Sequence, residues 1–355
     1  MRQTTRTVIA GALAALAAGF AGTATLAQSG GLSDIARPRV NGPEVATYML
    51  EQRQNAEQLD GESASRVYGG RKSQAGAWPF QVAMVAQFPP PEGKTEPVLS
   101  QFCGGSIIAR QWILTAAHCI VQPDGSTLAP DKLFVETGTT KLAQGDLRAV
   151  ARIITHPQYD PVLFDNDIAL VKLAEPIGNS RGAVGAVQVL PQGAPVPGGQ
   201  GLVMGWGMID GDRFTDDLME TDIDLLPNDT CNRGMAEQTK RDMGSFLLSM
   251  GRTSRIPEQT LEQAFEILTR NIGPALTDNM VCAGVASGAR TSCRGDSGGP
   301  LLMRKPDGGW IQVGVVSWGR VPIGATKACG HENLYAVYTR VSNYFDWIGA
   351  QLRSN

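Results

Sequence analysis

A loop-rich, all-β fold is what this sequence predicts, on three observations. The chain of 355 residues carries 42 glycines and 21 prolines, while aromatic residues make up only 6% of it. Between those breakers lie short apolar or alternating runs, the pattern of buried and half-buried strands. Helical spacing of apolar residues is confined to a few stretches. Length alone permits two or three compact domains. A formal net charge of −3 supports neither a nucleic-acid partner nor a polybasic membrane surface.

In chain order, the N-terminus lies outside that fold. Arg2 and Arg6 form a basic region, Val8 to Phe20 a short apolar core, and Thr25-Leu26-Ala27 a small-residue cleavage site. That is the pattern of a secretory signal peptide over residues 1–27. About 13 apolar residues are too few to span a bilayer comfortably. No later stretch is long enough, so no membrane span is expected in the mature chain. Residues 28–66 are polar, Gln/Glu-rich and free of cysteine, with a helix expected over Thr47–Leu59; they read as a leader. The composition changes at Arg66-Val67-Tyr68-Gly69-Gly70, where a folded domain of residues 67–355 begins.

Within that domain, strands are expected over Gln81–Ala86, Gly105–Ala109, Trp112–Ala116, Ala149–Ile154 and Ile168–Leu173. After a Gly/Pro-rich crossing from Pro176 to Gly201, a second set is expected over Gly201–Gly207, Asp222–Leu226, Met280–Gly284, Pro300–Met303, Gln312–Val316 and Ala336–Thr339. Val341, Tyr344, Phe345, Ile348 and Leu352 follow helical spacing, so a C-terminal helix is expected over about 341–353, with Ser342 as its cap. Residues 232–275, between Cys231 and Cys282, break the β pattern. Leu261, Phe265 and Leu268 suggest one helix there and Ser245–Met250 a second turn or helix, so the segment reads as a helical insertion.

Export agrees with six cysteines, because disulfides persist in oxidising compartments. Six thiols allow too many pairings for spacing alone to choose. A metal site is disfavoured: the chain has no C-x-x-C pair, and Cys119 adjoining His118 is poor tetrahedral geometry. No metal or other cofactor is expected.

Chemistry concentrates in Gly295-Asp296-Ser297-Gly298-Gly299-Pro300. A serine held in a glycine-rich turn has an exposed Oγ and a close backbone approach to substrate. Such a hydroxyl is a weak nucleophile and needs a base within reach. Thr115-Ala116-Ala117-His118-Cys119 offers a histidine, and Asp165-Asn166-Asp167-Ile168-Ala169-Leu170 a buried-looking aspartate. The chain has only three histidines. His156, before Pro157, and His331, in a polar loop, read as surface residues.

These three stretches, in the order His, Asp, Ser, resemble the chymotrypsin/trypsin family of serine proteases. The resemblance implies two six-stranded Greek-key β-barrels, the first over about 67–180 and the second over about 181–340. It implies Ser297 as nucleophile, His118 as general base and Asp167 as the acceptor that fixes the imidazole tautomer. The backbone N–H groups of Gly295 and Ser297 would form the oxyanion hole. Implied disulfides are Cys103–Cys119, Cys231–Cys282 and Cys293–Cys329. Arg66-Val67 resembles the family's activation site, with Tyr68 in place of a small aliphatic residue. Cleavage there would free the Val67 ammonium to pair with Asp296. The expectation is a secreted or periplasmic endopeptidase made as a zymogen, with protein or peptide substrates and a separate activating protease.

By the same resemblance, Thr291 stands where trypsin-like members carry the Asp that recognises Arg or Lys. Ser317-Trp318-Gly319 and Ala336 would wall the pocket, and Phe164 the adjacent subsite. A cationic side chain would be desolvated there without a counter-charge, so a small-to-medium uncharged residue is expected before the scissile bond (P1). The enlarged loop Arg320–Ala328 leaves an alternative, in which Arg320 turns into the pocket and favours acidic residues. Glu136–Leu147 is shorter than the calcium loop of some relatives, and no metal requirement is expected. The insertion borders the non-primed subsites and is expected to act on substrate access; a peripheral decoration or partner-docking surface is the alternative.

Two other readings compete. Gly295 to Gly299 also fits the G-x-S-x-G turn of esterases and lipases, but that turn needs a following helix and the order Ser, acid, His. Pro300-Leu301-Leu302 reads as a strand, and the best histidine precedes the serine. A catalytically silent binding protein on a protease scaffold is disfavoured by the intact triad.

Overall fold

The computed structural model describes residues 68–355, apart from 91–94, 123, 179 and 210–212. The expected signal peptide, the expected leader with a helix over Thr47–Leu59, and Arg66-Val67 all lie outside the described residues. A two-residue strand β1 (Arg71–Lys72) opens the described chain. It is followed by β2 (Gln81–Phe88), β3 (Val98–Ala109), β4 (Trp112–Thr115), β5 (Leu133–Thr137), β6 (Asp146–Thr155) and β7 (Ala169–Leu173). These last six close a barrel in the order β2-β3-β4-β7-β6-β5. The crossing carries β8 (Gln188–Val189), which pairs in parallel with a strand of the next barrel. Strands β9 (Gly199–Gly205), β10 (Met219–Leu226), β11 (Met280–Gly284), β12 (Pro300–Arg304), β13 (Trp310–Trp318) and β14 (Ala336–Arg340) form the second barrel. It closes through the β9–β10 pairing, with β1 added at β10.

Three strands go beyond those expected: the two-residue β1 and β8, and the longer β5. β5 buries Leu133 and Val135 completely, yet it also buries an acid, Glu136. Its carboxylate accepts the backbone N–H groups of Gly145 at 2.7 Å and Ala143 at 3.2 Å. A hydrogen-bonded acid costs far less to bury than a bare one, and a reading by hydrophobicity passes over it. β3 also begins earlier than expected, because its first half buries the polar Ser100 and Gln101.

The core crosses between the barrels. Val82, Ile113, Leu114 and Leu170 of the first barrel belong to one cluster with Leu202, Met204 and Trp206 of the second. The C-terminal helix, Phe345–Ser354, seals this cluster with Ile348, while Phe345 stays 38% exposed. Ser342 does not cap that helix: it is buried within a separate 3-10 turn, Val341–Asn343, and the cap position falls to Tyr344.

The insertion is larger than expected. A helix of 27 residues, Asn228–Ser254, starts before Cys231 and absorbs Ser245–Met250; a second helix follows over Glu258–Thr269. The buried positions of the long helix are Cys231, Met235, Gln238, Asp242, Leu247 and Gly251. Their three- to five-residue spacing is helical, but two members are polar, which hides the stripe from an apolar count. The Cys231–Cys282 disulfide ties the first turn to β11. Gly234 allows a close approach, since a Cβ there would lie 2.1 Å from the Asn333 carbonyl oxygen.

His156 is half-buried rather than a surface residue. Its ring lies edge-on to Tyr344 at 5.1 Å and Trp347 at 5.0 Å. Burial lowers its pKa below the ordinary histidine value of 6.5, against a smaller opposing effect of Asp165. The unfolded chain therefore takes up this proton first as pH falls, and stability must drop as pH goes below about 6.5. His156→Gln is expected to flatten that part of the profile, checked by melting temperature between about pH 5 and 8. An unchanged slope would count against the assignment.

Candidate active site

Chain segments from both barrels converge on Asp167. His118 sits in a 3-10 turn, Ala117–Cys119, just after β4. The Cys103–Cys119 disulfide fastens that turn to β3. Asp167 precedes β7 and is fully buried. One of its oxygens accepts the His118 backbone N–H at 2.8 Å, and the other meets His118 Nδ1 at 2.6 Å. The second oxygen also accepts a hydrogen bond from the Ser317 hydroxyl. The Asp167 carbonyl accepts from Thr339 Oγ1 at 2.6 Å. These contacts orient the carboxylate and fix the ring with Nδ1–H toward it. His118 Nε2 is buried and makes no hydrogen bond among the described residues.

Ser297 lies in the turn before β12 and is 4% exposed. The β3 backbone reaches across to it, with Gly104 N–H donating to its carbonyl at 2.7 Å. Gly298 has φ of 81°, and a Cβ there would meet Thr115 Oγ1 at 2.2 Å. The serine turn is therefore pressed against the residues leading to His118, which only glycine permits. The N–H groups of Asp296, Gly298 and Gly299 donate to the carbonyls of Cys293, Val316 and Asp296. Those of Gly295 and Ser297 make no hydrogen bond among the described residues. Two N–H groups without a partner among the described residues thus flank an engaged one. Chain continues from this turn into strand β12, without the helix that a lipase-type turn requires.

Asp296 is 1% exposed. Its carboxylate accepts the N–H groups of Gly207 at 2.8 Å and Cys293 at 2.9 Å. Val67 lies outside the described residues. Next to it in sequence, Tyr68 is buried, and its carbonyl accepts the Thr291 N–H at 3.3 Å. The Tyr68 ring packs so tightly on Gly330 that a Cβ there would lie 2.2 Å from it.

Thr291 and Ala336 are both buried, and Ser292 Oγ meets the Tyr338 hydroxyl at 3.2 Å. Burial raises the Tyr338 pKa, so this hydroxyl stays neutral. Trp318 is half-buried and Gly319 exposed. A register shift between Val316 and Trp318 marks a bulge at Ser317, and bulges re-aim side chains. From this bulge the Ser317 hydroxyl donates to Asp167. Arg320 does not turn into the pocket: it pairs with Asp242 of the long insertion helix at 2.6 Å. The Phe164 ring stands edge-on to His118 at 5.7 Å, and Phe164 has φ of 54°. Cys293–Cys329 joins the serine loop to the chain before β14. Cys103, His118 and Cys119 are close enough to suggest a metal group, but both sulfurs are consumed in a disulfide, which leaves no thiolate to bind one.

Several contributors carry no signal in the sequence. Gln101 donates to the carbonyls of Cys103 at 3.0 Å and Gly295 at 2.8 Å, linking β3 to the loop before Ser297. Asp165 accepts from Thr277 at 2.6 Å and from Asn279 at 3.2 Å, bracing the Asp167 loop against the second barrel. Gln101 belongs to no motif, Asp165 lies in one without its bracing role being readable, and only the topology brings each to its partner.

A buried base with one open nitrogen, packed beside a serine turn, can take a proton from a hydroxyl nucleophile; this is the chemistry of a serine hydrolase on a double β-barrel. The trypsin family model matches residues 67–348, and the chain belongs to that family of serine endopeptidases. Mouse tryptase is 33% identical over 287 residues, covering 79% of this chain and 87% of that protein. Anionic trypsin of Canis lupus familiaris is 29% identical, covering 82% and 91%. Human mannan-binding lectin serine protease 1 is 31% identical over 299 residues, and this chain spans 35% of its length.

Proposed function

We propose that this chain is a secreted or periplasmic serine endopeptidase made as a zymogen. Residues 1–27 direct export, 28–66 form the leader, and 67–355 the peptidase domain. Ser297 attacks the scissile carbonyl, and His118 Nε2 takes its proton and returns it to the leaving amine. Asp167 holds the tautomer and stabilises the imidazolium; Gly295 and Ser297 N–H groups receive the oxyanion. The observation that carries this reading is the paired hydrogen bonding of His118 to Asp167, with Nε2 left open. Six half-cystines in three disulfides agree with an oxidising compartment.

Cleavage at Arg66–Val67 frees an α-ammonium, which with a pKa near ~8 is largely cationic at neutral pH. Its partner is Asp296, and pairing orders the oxyanion loop. The neutral surroundings of Thr291, Ser292 and Ala336, with Arg320 engaged elsewhere, favour small-to-medium uncharged P1 residues. Such a pocket does not hold arginine, so a separate protease activates the precursor. Purified Ser297→Ala precursor is expected to be cut to Val67 by trypsin but not by mature wild-type enzyme. N-terminal sequencing reads the first result, and a fluorogenic peptide library on the cleaved enzyme reads the pocket. Ready cleavage by the mature enzyme would overturn both.

A further inference from the structure

The long insertion helix does more than decorate the second barrel. Its buried stripe contacts both chain segments that flank Cys329. Near its start, Gly234 lies against the Asn333 carbonyl, and Met235 shares a cluster with Leu334, Tyr335 and half-buried Trp318. Two turns further on, Asp242 is 5% exposed. One of its oxygens pairs with Arg320 at 2.6 Å. The other accepts the Ile323 N–H at 3.1 Å and Gln238 Nε2 at 2.7 Å. Arg241 closes the chain by donating to Gln238 Oε1 at 2.7 Å. The carboxylate thus fastens a loop that starts directly after the Ser317-Trp318-Gly319 wall, and this loop has no strand or helix of its own to hold it.

We propose that Asp242 is a positioning residue for extended substrates. Through Arg320 and the Ile323 N–H it holds the 320–323 segment, and with it the wall at Trp318 and Gly319, in the shape that receives residues N-terminal to P1. The helix serves as a buttress for that wall and sets subsite preference from outside the cleft. A buried carboxylate is retained here because removing it leaves a guanidinium and a backbone N–H without their acceptor, and the loop loses its ionic anchor. The Ser297–His118 chemistry lies in separate segments, and buried Thr291 and Ala336 are not fastened by Asp242, so a substrate that ends at P1 feels the loop only through one wall of its pocket and loses less than an extended one. This inference rests on the peptidase reading above.

The test compares activated wild type with Asp242→Asn and Arg320→Ala, each checked by circular dichroism and thermal melting. Asp242→Asn keeps size and shape, and Arg320 is partly exposed, so at least one variant folds. Fluorophosphonate labelling at Ser297 is measured first; its absence in the wild type would defeat the peptidase reading itself. On separate, unlabelled samples of the enzymes that react with the probe, kcat/KM for a peptide extended to P4 should fall roughly tenfold, mostly through KM, while a single-residue ester changes less than about twofold. The double variant should fall no further than the worse single one, because both remove the same contact. Equal losses on ester and peptide, no loss on either, or additive losses would overturn the positioning role.

Discussion

Ser297→Ala should lower peptide hydrolysis by about 10⁶-fold and abolish labelling by a fluorophosphonate. The size follows from Ser297 and His118 acting as one unit, in which removal of the nucleophile removes the acyl-enzyme route altogether. Residual hydrolysis then comes from binding and the two open N–H groups alone. Folding should be spared. The contact that ties Ser297 to β3 is made by its backbone, since Gly104 N–H donates to its carbonyl, which alanine retains. Unfolding in urea is expected to shift by no more than about 0.5 kcal/mol. Labelling that persists at another serine would end the assignment of the nucleophile. Peptide cleavage has to be measured beside labelling, because an esterase would also react with the probe.

How much of this molecule is legible without its structure? The strands that can be read are those with uninterrupted apolar or alternating runs, such as Met280–Gly284 and Ala336–Arg340. β5 escapes because its pattern contains the buried Glu136, whose cost is offset by N–H donors from a loop that sequence does not place nearby. The long insertion helix shows only in fragments for the same reason, since Gln238 and Asp242 occupy its inward face. The stretches bearing His118, Asp167 and Ser297 stand out because a cysteine adjoins the first, an apolar run follows the second, glycines surround the third, and they come in fixed order. Gln101 and Thr339 do not, and the roles of Asp165 and the Ser317 hydroxyl stay hidden, because the partners of all four lie far away in sequence. Arg320 shows the limit most plainly: charge and position suggest the pocket, and a buried acid on another element directs it elsewhere.

Asp167→Asn should cost about 10⁴-fold in kcat while leaving an enzyme that folds. Asp167 receives the His118 N–H, the His118 Nδ1–H and the Ser317 hydroxyl. Asparagine offers one acceptor oxygen and an amide NH₂ in place of the second oxygen. That NH₂ cannot accept from Nδ1–H, so the ring settles with Nδ1 as acceptor and the proton on Nε2. In that tautomer Nε2 has no lone pair for the serine proton, and an imidazolium formed beside a neutral amide is no longer stabilised. The loss therefore appears in acylation, and fluorophosphonate labelling should slow alongside peptide cleavage. Stability should fall by about 1–3 kcal/mol, the cost of leaving a buried donor unsatisfied. Ser317→Ala provides the control: it removes one donor to the carboxylate but leaves the tautomer intact, so it should cost roughly tenfold at most. An Asp167→Asn enzyme within about tenfold of wild type, or a Ser317→Ala loss as large as that of Asp167→Asn, would show that the carboxylate serves packing rather than the imidazole.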